Sequence, residues 1–366
     1  MSRPRVLFVG RTRYRLPLSP SLAQKFEALG RELDVRVLAS AAPGSAPGDR
    51  TFALVPQFRP RRLDGLAFWF ALPWRTARLV RDFRPDAVVC QTAYDAAAAL
   101  LARWIARVPA RVVVEVHADW RTSTRLYGSS ARRVLGRLGD AVAAAALRRA
   151  DAVRTVSPFT AALVRELGVE PAADFPAFMD LAPFSGPPEP LPERPLALFV
   201  GVLEAYKNID GLAAAWRRAA PRVPGASLRL VGKGTRTDVA EALVRELGVR
   251  WDRELRPDEV AAALDDAWLL VLPSRSEGMG RVLVEAFCRG RGVVGARAGA
   301  IPDLVGDGVS GLLVAPDDPQ ALAEALVRVL SDRALAEHLG EGAHVAAGPW
   351  LQTPEEYARR MRELVA

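Results

Sequence analysis

The segment from Leu270 to Gly290 constrains the fold of this chain most, because its pattern changes from strand to loop to helix. The apolar run from Trp268 to Leu272 is typical of a buried strand. Gly278 and Gly280 follow in a loop whose backbone can approach a ligand closely. The next residues predict a helix from near Met279 to about Arg289, which Gly290 ends. Helix N-terminal amides and the helix dipole attract negative charge, so this order of elements is typical of an anion-binding site.

Two carboxylates flank the glycine loop. Glu277 precedes the predicted helix, and Glu285 lies in its second turn among apolar residues. A buried carboxylate needs hydrogen-bond donors, and sugar or ribose hydroxyls are suitable ones. Alternatively, Glu285 is exposed and pairs with Arg281 or Arg289 four residues away, an interaction of a few tenths of a kcal/mol. The residues alone leave both interpretations open.

In their order and spacing, these residues resemble the E-x7-E signature of retaining, family-4-type glycosyltransferases, which have the GT-B fold. Glu277 and Glu285 occupy the two glutamate positions within S-x-x-E-G-x-G-x-x-x-x-E-A. The segment 299–305, GAIPDLV, is similar to the family's G-G-I-P-E-L-V, and residues 308–316 continue the match. The resemblance extends over nearly all of residues 196–332 and more loosely over the first half. It implies a GT-B fold of two doubly wound, Rossmann-like α/β domains that face a cleft.

Strand and helix patterns alternate along both halves, which predicts parallel sheets covered by helices. The chain of 366 residues is long enough for two domains. The proline-rich segment 182–195 is the predicted linker. The resemblance assigns acceptor binding to a domain over residues 1–185 and nucleotide-sugar binding to a domain over residues 186–350. Residues 351–366 are predicted to form a helix with Thr353 as its N-cap and Glu356 at the capping-box position, and the resemblance implies that this helix crosses back to the first domain. Ser157 is the predicted N-cap of the helix that follows the strand 151–156.

A predicted strand over residues 196–200 ends at Gly201, and Lys207 follows within a few residues. The resemblance implies that Lys207 binds the donor diphosphate. The family usually has an arginine directly after this glycine, where the present chain has Val202. The alternative for Lys207 is a solvated loop lysine without a ligand.

Gly232 and Gly234 form a second glycine turn after a strand, and we predict that it forms a wall of the nucleotide pocket, although a G-x-G pattern is weak evidence by itself. The residues predicted to bind the donor are Gly10, Gly201, Lys207, Gly232, Gly234, Glu277, Gly278, Met279, Gly280, Arg281, Val282 and Glu285. The predicted catalytic residues are His117, Lys207 and Glu277.

The first half contributes two candidate positions, each expected at the carboxyl end of a strand, where parallel sheets bind ligands. Gly10 is expected to turn the chain into a basic loop, residues 11–18. The resembled family has a glycine-rich loop that lines the acceptor cleft here, whereas this chain has three arginines. His117 is the last residue of the predicted strand 111–117. A lone histidine is usually structural, but the resemblance implies that one here contacts the donor sugar.

Charge is distributed unevenly, with +12 over residues 1–185 and −4 over the remainder. This asymmetry predicts an anionic partner for the first half. No nucleic-acid-binding motif is present, so we favour a peripheral membrane contact or a phosphorylated acceptor over nucleic acid. The alternative is an arginine-rich protein of a high-GC genome without such a partner.

Aromatic and basic residues alternate over residues 58–84. Five large apolar residues lie between two groups of three arginines: Phe68, Trp69, Phe70, Leu72 and Trp74, flanked by Arg59, Arg61, Arg62, Arg75, Arg78 and Arg81. This combination suits a membrane interface. The alternative, which we favour slightly, is a helix whose aromatic side packs on the sheet.

The apolar runs are shorter than the roughly 20 residues of a membrane span, and residues 1–10 are predicted to be a strand, not a signal peptide. Cys90 and Cys288 lie in apolar contexts and are expected to be reduced. These features predict a cytoplasmic protein, in peripheral contact with the inner membrane face if the first half binds lipid. The three histidines have no metal-ligand spacing.

We therefore predict a hexosyltransferase-type enzyme. It moves a sugar from a nucleotide-sugar donor to a hydroxyl of a lipid-linked, glycan or small-molecule acceptor, with retention of anomeric configuration. The nucleotide sugar is a substrate, and neither a metal nor another cofactor is expected. Two alternatives stay open: a sugar-nucleotide epimerase of similar architecture, and a non-catalytic partner subunit in which Val202 has replaced the usual arginine.

Overall fold

A computed structural model describes residues 3–58, 64–121 and 130–366 of the chain. It consists of two compact units. The first unit comprises Met1–Phe178 together with Gln352–Ala366, and the second unit comprises Met179–Leu351.

The elements alternate between strands and helices in both units. The strands are β1 (Arg5–Tyr14), β2 (Asp34–Ala41), β3 (Phe52–Val55), β4 (Ala87–Cys90), β5 (Arg111–Val116), β6 (Ala152–Thr155), β7 (Ala173–Asp174), β8 (Leu196–Val200), β9 (Ser227–Val231), β10 (Arg250–Asp252), β11 (Leu269–Leu272), β12 (Gly292–Ala296) and β13 (Gly311–Val314). The helices are α1 (Pro20–Glu32), α2 (Asp64–Phe83), α3 (Ala93–Ala106), α4 (Ser130–Arg149), α5 (Pro158–Arg165), α6 (Ile209–Ala219), α7 (Thr237–Leu247), α8 (Pro257–Asp265), α9 (Arg281–Cys288), α10 (Ile301–Leu304), α11 (Pro319–Leu330), α12 (Arg333–Ala346) and α13 (Pro354–Val365).

Each unit is built on one parallel sheet. The seven strands of the first unit have the order β3-β2-β1-β4-β5-β6-β7, and the six strands of the second have the order β10-β9-β8-β11-β12-β13. The strand order reverses beside the first strand of each sheet, between β1 and β4 and between β8 and β11. Ligands of doubly wound sheets bind at this switch point, beyond the carboxyl ends of the strands. The predicted fold of two doubly wound α/β units is confirmed.

The observed boundary between the units, at Phe178 and Met179, lies a few residues before the predicted one at residue 185. The physical reason is that a short 3-10 turn, Ala182–Phe184, packs against α8 of the second unit and buries Phe184. The chain therefore joins the second unit before the proline-rich segment begins.

The basic segment after Gly10 is strand in part, whereas the sequence predicted a loop. β1 continues to Tyr14, and its register against β2 shifts between Val9 and Arg13. Tyr14 is buried against the rings of Phe26 and Phe52, which fixes the end of the strand. A bulge of this kind redirects side chains, here at the carboxyl end of a central strand.

The C-terminal helix α13 packs against α1 of the first unit. The Thr353 side chain accepts from the Glu356 amide, and the Glu356 carboxylate accepts from the Thr353 amide, so the predicted capping box is present. The buried face of this helix belongs to the same core as β1, β2 and β4; its buried members are Tyr357, Ala358, Met361, Leu364 and Val365.

Cys90 and Cys288 are buried and free, as predicted. In the described residues, no helix is both long enough and apolar enough to span a bilayer. Three short strands were missed by the sequence analysis, β7, β10 and β12. β7 and β10 have only two and three residues, and β12 (GVVGA) carries glycines that weaken a strand pattern.

Candidate functional site

The switch point of the second unit brings together two loops that are distant in sequence. The loop after β8 contains Gly201 and Lys207, and the loop after β11 contains Glu277 and Gly280. Because β8 and β11 are neighbours in the sheet, both loops leave it at the same carboxyl edge.

Lys207 and Glu277 form an ion pair at this edge. The Lys207 Nζ donates to Glu277 Oε1 at 2.5 Å, and both side chains are about nine-tenths buried. Lys207 ends a 3-10 turn, Ala205–Lys207, and Asn208 then adopts a left-handed conformation and caps α6 through the Gly211 amide. This cap fixes the backbone conformation directly after Lys207 and therefore the direction of its side chain. Lys207 is therefore a buried, ion-paired lysine and not the solvated loop lysine of the alternative.

Arg275 connects the two loops and was missed by the sequence analysis. Its backbone amide donates to the Tyr206 carbonyl at 2.7 Å, and its guanidinium donates to the Ala205 carbonyl and, at 2.6 Å, to Asp317. These bonds hold the Lys207 turn against the segment that carries Glu277. Its position two residues before Glu277 could have indicated that it belongs to the site, but only the structure shows which carbonyls accept its hydrogen bonds.

The backbone of Glu277 is fixed from the other side by the loop after β12. The Ala300 amide donates to the Glu277 carbonyl at 2.9 Å. Gly299 has φ +57°, and a Cβ there would collide with the Glu277 backbone. The G-A-I-P segment therefore serves to position the first glutamate, which explains why a glycine is needed there.

Glu285 lies in α9, buried to 7% exposure, and accepts from Arg281 Nε at 2.7 Å. Burial raises the pKa of the Glu285 carboxyl, and Arg281 opposes this shift. Both sequence interpretations hold in part, because the glutamate is buried and also pairs with the arginine four residues before it. The other candidate partner, Arg289, binds Asp265 at 2.7 Å instead.

The helix α9 begins later than the sequence predicted, at Arg281, after Gly280 in a left-handed conformation. Met279 and Val282 are buried on either side of this turn, and the Arg281 side chain is half exposed. Gly278 precedes them in the loop. The structure thus places the predicted residues from Glu277 to Val282 at one helix N-terminus, where the first backbone amides are able to bind an anion.

Gly201, Gly232 and Gly234 permit the loops after β8 and β9 to touch backbone to backbone. A Cβ at Gly232, which has φ +140°, would collide with the Gly201 carbonyl, and a Cβ at Gly234 would collide with the Leu203 carbonyl. The Leu203 amide donates to the Lys233 carbonyl at 3.1 Å. The contact forms a compact edge beside Lys207, on which the Val202 side chain is exposed.

The first unit has its own cavity, of about 510 Å³, at the carboxyl edge of β1, β4 and β5. It is lined by charged, polar and aromatic side chains, among them Arg11, Arg13, Tyr14, Lys25, Gln91, Asp95, Glu115, His117, Phe178 and Tyr357. His117 is exposed, with Nε2 3.5 Å from Glu115 Oε2. Gly10 lies beside the cavity, since a Cβ there would collide with the Gln91 side chain. His117 and Gly10 therefore belong to this first-unit site, while the other predicted residues lie in the second unit.

A buried pair beneath His117 was not found from the sequence. Arg154 is fully buried and donates to Glu115, to the Phe175 carbonyl at 3.0 Å and to the Pro176 carbonyl at 2.6 Å. Burial by itself would raise the pKa of Glu115, but Arg154 and His117 hold it well below its ordinary value. Glu115 is therefore an ionised carboxylate that faces His117.

Two further groups give the cavity its charge. The Lys25 ammonium lies 5.2 Å from the centre of the Tyr357 ring and 6.0 Å from that of Phe178, and burial lowers its pKa. Burial raises the pKa of Asp95 to about 7. The cavity thus combines a desolvated cation with a carboxyl that titrates near neutral pH.

Across the described ranges, no group of three or more histidine, cysteine, aspartate and glutamate side chains is arranged to hold a metal ion.

Comparison with known protein families matches both halves of the chain. Residues 19–173 match the model "Glycosyl transferase 4-like domain", and residues 186–345 match "Glycosyl transferases group 1". Among curated relatives, the sulfoquinovosyl transferase of Arabidopsis thaliana is 32% identical over 155 residues, 42% of this chain and 30% of the relative. The D-inositol 3-phosphate glycosyltransferase of Corynebacterium urealyticum is 34% identical over 181 residues, 45% of this chain and 42% of the relative. The matched region thus spans less than half of each relative.

Solved structures match over nearly the whole length. A sucrose-phosphate synthase from Thermosynechococcus elongatus has a TM-score of 0.78 at 21% identity, covering 99% of this chain and 98% of that one. The Anabaena protein HepE, in complex with UDP and glucose, has a TM-score of 0.72 at 18% identity, covering 99% and 100%. At identities this low, the structural similarity establishes the fold alone. The chain therefore consists of a glycosyl transferase 4-like domain followed by a domain of the group 1 glycosyl transferases, with the two Rossmann-like units of the GT-B fold.

Proposed function

We propose that this protein transfers a sugar from a nucleotide-sugar donor to an acceptor hydroxyl with retention of anomeric configuration. The observation that carries the proposal is the held Lys207–Glu277 pair beside the N-terminus of α9, within the domain that matches the group 1 glycosyl transferases. The UDP and UDP-glucose complexes of HepE support a nucleotide-sugar donor.

Each side chain of the second-unit site has a proposed role. Lys207 and the α9 amides stabilise the diphosphate as it departs, and Arg281 adds positive charge. Glu277 accepts from hydroxyls of the donor sugar, and Glu285 accepts from the ribose hydroxyls. The nucleotide sugar is a substrate, and the proposed reaction uses no metal or other cofactor.

The first-unit cavity is the proposed place for the acceptor, which is lipid-linked, a glycan or a small molecule. His117 lies at this cavity, and its proposed role is to contact the reacting sugar. The Glu115 carboxylate orients the imidazole, with Arg154 holding the carboxylate. The cytoplasmic location and the membrane contact of the first unit stay predictions.

Two alternatives predict different products from the same experiment. The protein is incubated with UDP, GDP, ADP and dTDP sugars after a thermal-shift screen has selected the stabilising nucleotide. We expect slow donor hydrolysis that releases the sugar first in the α configuration from an α-linked donor, as retention requires. An isomerised nucleotide sugar would instead indicate an epimerase. Stabilisation without any turnover, with acceptors of all three classes present, would indicate a partner subunit.

Glu285→Ala is expected to weaken binding of the selected nucleoside diphosphate by about 1–3 kcal/mol, because ribose hydroxyls lose their buried acceptor. Isothermal titration calorimetry of the folded variant measures this change. Glu324→Ala is the matched control, because Glu324 is also an arginine-paired glutamate, bound to Arg222 at 2.6 Å, on α11. Equal affinities of wild type and Glu285→Ala would exclude the ribose-binding role.

A further inference from the structure

Three outer helices of the first unit expose large apolar side chains on one face. Phe70 and Trp74 on α2 are 79% and 66% exposed, and Trp104 on α3 is 76% exposed. Leu101 on α3 and Leu138 and Val142 on α4 are exposed as well. These six residues are called the apolar helix face below. Exposed apolar clusters of this kind mark interaction surfaces.

The face is continuous across the three helices. A depression of about 500 Å³ lies between them, and its lining includes Trp69 and Pro73 of α2, Leu101 of α3 and Val142 of α4. The remaining members lie three or four residues from a lining residue or from each other, the spacing at which helical side chains cover adjoining surface: Phe70 before Pro73, Trp74 after Phe70, Trp104 after Leu101 and Leu138 before Val142. α2 packs on α3 and α3 on α4, which keeps the helices in contact beneath the face.

The exposed aromatic residues of α2 lie on the side of the helix opposite its buried face and do not contribute to the core. Phe68 and Leu72 of the same helix are buried in the first-unit core. The alternative from the sequence, in which the aromatic side of this helix packs on the sheet, therefore accounts for these two residues and leaves Phe70 and Trp74 unexplained. Arg59, Arg61 and Arg62 of the same sequence segment lie outside the described residues.

Positive charge surrounds the apolar helix face. A second depression, of about 610 Å³, adjoins Trp104, and Arg103, Arg107, Arg111 and Asp151 contribute to its lining. Arg103 binds Asp151 at 2.5 Å, and Arg111 donates to the Ala366 oxygen at 2.8 Å, while Arg107 is exposed. Arg103 and Arg111 therefore already have bonding partners within the chain, and the exposed guanidinium of Arg107 is the group that suits an anion such as a lipid phosphate.

The other helices add exposed cations next to the aromatics. Arg75 and Arg78 lie beside and one turn after Trp74, and Arg137 precedes Leu138. The nearby acidic groups are Asp82, 3.8 Å from Arg78, and Asp140 on α4. Arginine with tryptophan and phenylalanine on one surface is the composition of proteins that lie in the membrane interface.

We propose that the apolar helix face docks the first unit on an anionic lipid bilayer. Phe70, Trp74 and Trp104 enter the boundary between headgroups and acyl chains, and the arginine-lined depression beside Trp104 binds a lipid phosphate. A second copy of the chain fits this surface poorly, because a two-fold contact would bring two copies of the same arginine-rich surface together and their like charges would repel. The proposal does not rest on the proposed sugar transfer, since it concerns other residues of the first unit.

Flotation of the full chain with vesicles tests the proposal. We expect strong binding to phosphatidylcholine mixed with phosphatidylglycerol, and weak binding to phosphatidylcholine alone. Binding should fall as salt rises from about 0.05 to 0.5 M, because the Debye length shrinks several-fold over this range. Brominated lipids should quench tryptophan fluorescence in the wild type, and less in Trp104→Ser.

The triple variant Phe70→Ser, Trp74→Ser, Trp104→Ser should bind anionic vesicles at least about tenfold more weakly, because the buried apolar area is lost. The matched control is Val345→Ser, at a residue 79% exposed on α12 of the second unit. Arg107→Glu should weaken binding and reduce its salt dependence, and Arg328→Glu, at an exposed arginine of α11, is its charge-matched control. Unchanged thermal stability verifies that the variants are folded.

Three outcomes would overturn the proposal. The first is equal recovery with neutral and anionic vesicles. The second is equal loss of binding in the triple variant and in Val345→Ser. The third is a concentration-dependent dimer, found by light scattering, that the triple variant abolishes while vesicle binding is absent in the wild type; the face would then be an interface between copies.

Discussion

Lys207→Ala is expected to lower the turnover number of sugar transfer or donor hydrolysis by about 10²-fold or more. The departing diphosphate gains charge as the glycosidic bond breaks, so a fixed cation stabilises the transition state more than the bound donor. Lys207 is suited to this role because its ammonium is buried, held by the turn before Asn208, and paired with Glu277. Steady-state rates at saturating donor, compared with donor affinity from calorimetry, measure the two effects separately.

The chain provides a matched control for this variant. Lys233 is another of its three lysines and also lies in a loop at the carboxyl edge of the second sheet, but it is exposed and binds Glu254 at 2.6 Å. Lys233→Ala should leave turnover nearly unchanged. Val202→Arg should maintain or raise turnover, since it restores the cation that the family usually has after Gly201. Loss of donor affinity with intact turnover in Lys207→Ala would show that Lys207 binds ground and transition states equally and does not stabilise the leaving group.

Arg154→Met is expected to lower the free energy of unfolding of the first unit by about 3–5 kcal/mol, the scale for removing one partner of a buried ion pair. Arg154 is fully buried and Glu115 is 4% exposed, so solvent screens neither charge. The variant leaves an ionised carboxylate and the Phe175 and Pro176 carbonyls without their donor. Amide hydrogen exchange of Arg111–Val116 in urea reports the stability of this unit separately from the second one.

The double variant Glu115→Gln, Arg154→Met separates charge from packing. Removing both charges leaves no unpaired ion in the core, so the double variant should be more stable than Arg154→Met alone. If the two variants are equally unstable, the effect arises from lost packing of the guanidinium on the Phe175 ring, whose centre lies 3.9 Å away.

Helix ends and strand cores could be predicted because they depend on neighbouring residues. Ser157 caps α5 and Thr353 caps α13 as expected, since a cap needs only a side-chain oxygen and an amide a few residues on. The predicted length of β1 was too short, because its end depends on residues that are distant in sequence. Arginines and a glycine indicate a loop locally, but Tyr14 packs on Phe26 and Phe52 from α1 and β3, and this contact extends the strand.

The sequence alone placed Gly201, Lys207, Glu277 and Glu285 at strand ends and at a helix start, because hydrophobic runs and glycines have a local physical meaning. Only the tertiary structure decided which of them meet. Lys207 and Glu277 are 70 residues apart, and they pair because β8 lies next to β11 in the sheet. Glu115 and Arg154 meet because β5 lies next to β6. Strand order depends on how whole helix faces are buried against the sheet. This burial involves residues far apart in sequence, so no short segment determines it.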